Sequence, residues 1–257
     1  MRVRDIIAAI EQFAPLSIQE GWDNSGLCIG SPEDEVHGVL LGFDCTPELI
    51  DEAVASGCDM VVTHHPLIFK GLKRIQGGDP VSDAVIGAVR AGVAVYAAHT
   101  TADKVIAGVS GAMARRLELQ DIELMEDEGG FGLGAVGTLP HPMTGEEAIA
   151  YVKEKFGLRT VRVSRPAERV EKVAMCGGSG ASEIEAARST GAQLYISGDI
   201  SYHHFFTPDG FMVMDIGHFE SEVDIVGILF KVIREKFPTF AVRISDNLGR
   251  SNPVRYY

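Results

Sequence analysis

Met60-Val61-Val62-Thr63-His64-His65-Pro66 is the stretch on which the fold turns. A short apolar, β-rich run that ends in two adjacent histidines and a proline reads as a buried strand opening onto a loop. Proline has no N–H and cannot extend a central ladder, so the spacing predicts that the strand stops near His65. Neighbouring side chains on a strand point to opposite faces. Both imidazoles therefore serve one site only where the backbone turns, and Pro66 favours a turn there. In an open parallel sheet, ligands collect at the carboxyl ends of the strands. His64 and His65 thus read as a pair of metal ligands, as a ligand with a base, or as two unrelated histidines at a strand end.

Upstream, residues 36–43 have strand character, and Thr46-Pro47-Glu48 has the chemistry of a helix start. Thr46 supplies a capping hydroxyl, Pro47 suits the first helical position, and Glu48 is favoured by the dipole. Leu49, Ile50, Ala53 and Val54 form the apolar stripe of that helix, and Gly57 ends it. Downstream come a helix over 81–91 stopped by Gly92 and a strand over 93–98 ending at His99. After Asp103 a helix is expected to about Leu119. This β-α-β-α-β-α order predicts a parallel sheet with right-handed crossovers. At the amino end, Val3, Ile6, Ile7, Ile10 and Phe13 recur at helical spacing until Pro15. Trp22, Asp23 and Asn24 then sit in a Gly-punctuated loop leading into a short strand. Trp22 and Asn24 are candidates to line a substrate pocket; a tryptophan here equally suits a packing anchor beneath a loop.

The pattern returns from Val170. Displaced by 134 residues, Val39 falls on Val173, Ile50 on Ile184, Gly57 on Gly191 and His65 on Asp199, without a gap. A further strand over 211–216 ends in Gly217-His218, with Glu222 four residues beyond, as Asp103 lies four beyond His99. In a helix such a pair lies on one face, about 40° apart around the axis, and can present an imidazole and a carboxylate to one ion. Between the repeats, residues 120–131 are acidic and Gly-rich and read as a linker or exposed loop. Residues 132–166 hold a strand over 134–139, a helix over 144–156 capped by Thr144 with Glu147, and a strand over 160–164 suited to a sheet edge between subunits. The expected organisation is a first α/β half (1–125), a short inserted β-α-β layer (126–168) and a second α/β half (169–257).

Composition narrows the function. The 257 residues are 46% hydrophobic and 23% charged, with a net charge of −13. That balance argues against a broad nucleic-acid footprint and against docking on anionic membranes. The four cysteines form no C-x-x-C pair, which fits a reducing compartment and argues against a thiolate metal site. No secretory h-region and no membrane-spanning apolar stretch is visible, so a cytoplasmic location is expected.

Four groups of residues carry the candidate chemistry: the His64/His65 strand end, His99…Asp103, His218…Glu222, and the Gly-rich turn Cys176-Gly177-Gly178-Ser179-Gly180. Imidazoles with carboxylates suit Zn, Fe, Mn, Co or Ni rather than Ca or Mg cages. They exceed the three protein ligands of a one-metal catalytic centre; two divalent ions bridged by a carboxylate would use them all. The Gly-rich turn reads either as an anion cradle at a helix start or as a plain tight turn, since no P-loop lysine follows.

The motifs Trp22-Asp23-Asn24-Ser25-Gly26-Leu27, Thr63-His64-His65-Pro66-Leu67-Ile68-Phe69, Gly217-His218-Phe219-Glu220-Ser221-Glu222 and Asn252-Pro253-Val254-Arg255-Tyr256-Tyr257 resemble the NIF-three-like family, the GTP cyclohydrolase I type 2 homologs. The resemblance implies metal ligands at His64, His65, Asp103, His218 and Glu222, with Glu222 bridging two ions. It also implies a duplicated three-layer α/β/α fold with mostly parallel sheets and a toroidal homohexamer. His99 is left for a supporting or proton-transfer role, or for a structural one. Tyr202 and His203 match a Gly-Asp-Ile-x-Tyr-His stretch of the family and are candidate substrate contacts, whereas His204 has no family counterpart. The chain departs from the family's His-Thr-Asn-Leu-Asp at Thr101 and Ala102, and Lys104 replaces a usually small residue, which alters the pocket's polarity. The resulting expectation is a dinuclear-metal-dependent hydrolase acting on a small phosphorylated or nucleotide-like substrate. The alternative is a metal-binding hexameric scaffold that works through protein interactions without turnover.

Overall fold

Short, wholly apolar runs become buried strands because both of their faces are covered. In the computed structural model, which describes residues 1–256, β2 (Gly38–Leu41), β3 (Met60–Thr63) and β4 (Ala94–Ala97) are buried along their whole length and run parallel. β1 (Gly26–Ile29) closes one edge antiparallel to β4, and β11 (Ala241–Ile244) closes the other, parallel to β2. On one face Leu40, Val61 and Val95 pack with α2 (Pro47–Ala55) and α3 (Pro80–Ala91). On the other, the buried Tyr96 donates to Glu11 of α1 (Val3–Phe13) at 3.4 Å. The expected helix signals operate: Leu49 N–H donates to Thr46 Oγ1 at 3.3 Å, and Gly92 ends α3 in the left-handed conformation.

The second sheet has the order β5-β6-β8-β9-β10-β7, from β5 (Gln120–Leu124), β6 (Ala135–Met143), β7 (Arg162–Val163), β8 (Val170–Ser179), β9 (Leu194–Gly198) and β10 (Met212–Asp215). Val173, Met175, Leu194 and Ile196 face the core under α5 (Val109–Arg116) and α6 (Gly145–Phe156); Ala174 and Tyr195 face the other core with Ala187 of α7 (Ile184–Ser189). Helices thus cover both sides of each sheet, as the α/β reading requires. The repeat extends to hydrogen-bond register: Val39 pairs with Met60 and Val173 with Leu194, each partner displaced by the same 134 residues.

Three local expectations need correction. Residues 120–124 are not an exposed loop but β5, whose acidic residues occupy a charged sheet edge, where lone strands are protected from further pairing. The helix expected from Asp103 to Leu119 is broken into α4 (Thr100–Asp103) and α5. The Ile106 carbonyl lies 1.7 Å from where a Cβ on Gly111 would stand, so the connecting loop crosses the helix where only glycine fits. Residues 132–166 do not form a layer of their own either, because β6 and β7 hydrogen-bond into the second sheet. The chain forms two compact units, Met1–Ala102 with residues from 225 onward, and Asp103–Asp224. These limits differ from 1–125, 126–168 and 169–257 because strand pairing ignores chain order: residues after α8 (His218–Glu222) and through α9 (Asp224–Lys236) return to the first sheet as β11. Among the described residues, no helix is long and apolar enough to cross a membrane. Tyr257, the end of the tail motif, lies outside the described residues.

Candidate metal centre

In the first unit the strand stops at Thr63, and one carbonyl organises the turn. The N–H groups of His64 and His65 both donate to Phe43 O, at 3.2 and 3.3 Å, while the Thr63 hydroxyl donates to His65 O at 2.8 Å. Two adjacent side chains are thereby brought to one side, with ring centroids 4.9 Å apart, and His99 lies 5.4 Å from each. The three residues each offer a ligand atom within 4.8 Å of the others, a group that could hold a metal ion.

Each imidazole is held through Nδ1. His64 Nδ1 lies 2.9 Å from Ala98 O, His65 Nδ1 2.7 Å from Asp44 Oδ1, and His99 Nδ1 2.7 Å from Asp23 Oδ1. A carbonyl or carboxylate oxygen only accepts, so the ring proton sits on Nδ1 and the tautomer presents Nε2 as the ligand atom. This is the arrangement that orients histidines at metal sites. The Asp23 side chain is fully buried and also accepts from Ser25 Oγ at 2.6 Å and Thr100 N at 3.1 Å. Burial alone would raise its pKa. The hydrogen bonds from His99, Ser25 and Thr100 outweigh that effect and hold the carboxyl far below the usual carboxylate range.

Trp22 is not a packing anchor. The residue is 61% exposed and its ring lies 6.0 Å from both Phe69 and His99, so it stands beside His99 instead of supporting a core. Asn24 clamps that loop by donating to Ile68 O at 2.6 Å.

The second unit carries carboxylate chemistry of its own. After β10, Gly217 with φ +97° admits the sharp entry into α8, which carries His218 and Glu222 one turn apart. His218 Nε2 lies 3.0 Å from Glu222 Oε2, and its Nδ1 lies 2.8 Å from Asp199 Oδ2. Glu222 is buried at 4% exposure against the Gly-rich turn. A Cβ on Gly178 would stand 2.2 Å from Glu222 Oε1, and Gly178 itself has φ +63°. The turn's N–H groups are spent within the fold: Gly178 donates to Ser221 Oγ at 2.9 Å and Gly180 to Ser197 Oγ at 3.0 Å. Neither reading of this stretch holds: Cys176–Ser179 is the end of β8, where pairing with β9 shifts register between Met175 and Ser179, and its glycines make room for a carboxylate.

Asp103 closes α4, in the turn opened by the bond from Ala102 N to His99 O at 2.8 Å. Burial, then the charges of Asp103, Glu183 and Glu222, push the Cys176 thiol well above its ordinary pKa, so both proposed acidic ligands bear on one buried sulfur. Of the residues that depart from the family pattern, Thr101 is buried and Lys104 pairs with Glu128 at 3.0 Å. Tyr202 and His203 lie on an exposed single turn, and their ring contacts are with each other and Phe206.

The sequence places Asp23 only beside a candidate pocket and gives Asp44 and Asp199 no site role, yet all three orient imidazoles. Their signal was present: Asp44 follows β2 closely, and Asp199 directly follows β9, at the strand ends where sites form.

The chain's likenesses agree with this architecture. The family model described as Duf34/NIF3 (NGG1p interacting factor 3) matches residues 1–249. Proteins named "GTP cyclohydrolase 1 type 2 homolog" are similar to it: that of Clostridium perfringens is 33% identical over 244 residues, covering 92% of each chain. That of Clostridium acetobutylicum is 32% identical over 238 residues, covering 90% of this chain and 89% of the other. The crystal structure of the Staphylococcus aureus hypothetical protein SA1388 superposes with a TM-score of 0.92 at 24% identity, covering 100% of this chain and 99% of that one, a likeness of fold. The chain belongs to the Duf34/NIF3 family.

Proposed function

We propose that the protein is a dinuclear-metal-dependent hydrolase acting on a small phosphorylated or nucleotide-like substrate. The observation that carries this reading is the set of four histidines, His64, His65, His99 and His218, each with Nδ1 held by an oxygen acceptor, together with a buried carboxylate seated against two glycines. In this reading His64, His65, Asp103, His218 and Glu222 would hold two divalent ions per subunit, drawn from Zn, Fe, Mn, Co or Ni. The mixture of neutral imidazoles and carboxylates fits such borderline cations. Such ions, when bound, would supply Lewis acidity and a more acidic water.

The chain's own groups do the rest. His99 moves a proton through Nε2 while Asp23 keeps its Nδ1 protonated and its ring fixed. Trp22, on a loop secured by Asn24, offers an exposed ring for a planar substrate group, and Tyr202 and His203 offer a second aromatic surface. We extend the proposal to a cytoplasmic homohexamer, supported by membership of the family; light scattering in solution tests the assembly.

The deciding experiment combines elemental analysis of freshly purified protein with turnover of a nucleotide and phosphoester panel under added Mn, Zn or Fe. Glu222→Ala is expected to lose both stoichiometric metal and turnover. Turnover unchanged in that variant removes the hydrolase assignment.

A further inference from the structure

A cavity of about 450 Å³ opens in the first unit at the carboxyl ends of β2 and β11, and Asp44, which holds His65, is among its lining residues. Its size suits a small organic molecule. Phe43, Leu49 and Leu248 supply its carbon surface. Its charged groups are Asp44, Glu48 and Glu52 against the single cation Arg250.

These carboxylates are not equivalent. Glu52 accepts from Ser245 Oγ at 2.7 Å, Asp246 N at 2.7 Å and Asn247 Nδ2 at 3.2 Å, so it secures the wall formed by the segment after β11. Asp44 gives Oδ1 to His65, with Oδ2 as its second acceptor atom. Glu48 stands in the first turn of α2, where its own N–H and the Thr46 hydroxyl hold its carboxyl below the usual range, so it is ionised. The cavity therefore offers two carboxylates as acceptors beside an apolar surface. Arg250, whose guanidinium reaches Asn247 Oδ1 at 3.5 Å, is its one charged donor. An occupant with N–H donors is matched to it; a polyanion is not.

We propose that this cavity binds a small molecule with an apolar body and an amino or amidine head, the head donating to Glu48 and Asp44. An occupant bonded to Asp44 is one carboxylate away from His65. Its place as the recognition end of a substrate rests on the hydrolase reading above; the binding itself does not.

The test uses the full chain stripped of metal with a chelator, so that it reads binding alone. Three probes are titrated by calorimetry and by ligand-observed NMR: 2-aminopurine riboside, purine riboside lacking the amino group, and the linear guanidine agmatine. The proposal expects 2-aminopurine riboside or agmatine to bind at least tenfold more tightly than purine riboside, the stronger of the two identifying an aromatic or an aliphatic body. Glu48→Gln, a change at an exposed position, is expected to erase that preference, and Leu248→Trp to abolish binding by filling the cavity. Equal binding of purine riboside, absence of binding by both amino compounds, or binding indifferent to Glu48→Gln overturns it. If the amino probe binds as expected while the metal-loaded enzyme turns nothing over, the hydrolase reading fails and this one stands.

Discussion

The carboxyl ends of the two sheets share a backbone plan and differ in what they carry. In both, a strand, a helix and a parallel strand pair in the same register 134 residues apart, and a third parallel strand leads to a histidine with an acid four residues later. The first end gathers three imidazoles, steadied by Asp23 and Asp44 and by Ala98 O. The second carries one imidazole and a buried glutamate, with Asp199 where the repeat has His65. His65 borrows its carboxylate from the loop after β2, whereas Asp199 is itself the carboxylate that holds His218. A duplicated scaffold thus reproduces where side chains emerge while leaving the donor type at each position open to change.

The sharpest way to break that comparison is at the glycines beneath Glu222, which have no counterpart in the first unit. Gly178→Ala forces a Cβ into the carboxylate at a left-handed residue, and it is expected to lower stability by roughly 2–4 kcal/mol and to displace Glu222. Chemical denaturation with metal analysis reads both effects; a wild-type midpoint would mean the cradle is not tight. Next come the orienting acids. Asp44→Asn and Asp199→Asn are each expected to weaken metal retention about 10- to 100-fold. Competition with a chromophoric chelator measures this, and loss in only one variant would show that the two ends contribute unequally.

A smaller effect concerns pH. Because the folded Asp23 carboxyl lies below its ordinary value, the stability it confers is present above the unfolded carboxylate pKa and is lost as pH falls through the folded one. Asp23→Asn should therefore unfold more readily than wild type at neutral pH, with the gap narrowing in strong acid; a gap independent of pH contradicts this. The smallest effect compares helix starts. Thr46→Ala and Thr144→Ala should each cost about 1 kcal/mol. The second should cost more, since the Thr144 hydroxyl both accepts from Glu147 N–H at 3.3 Å and donates to Glu147 Oε2 at 2.9 Å within a reciprocal box. Equal thermal shifts would remove that distinction.

Local rules reached a long way into this molecule. The stop at Pro66, the caps at Thr46 and Thr144, the His218…Glu222 pair and the repeat are all written within a few residues of one another or in a constant offset. Such features depend on backbone geometry that neighbours along the chain dictate. Tertiary structure alone decided which oxygen holds each imidazole, that Trp22 faces solvent beside His99, that the acidic run at 120–124 is an edge strand, and that β11 returns to the first sheet. Those outcomes turn on hydrogen bonds and burial between segments far apart in the chain: Asp23 and His99 are 76 residues apart, and no periodicity within either segment encodes their meeting.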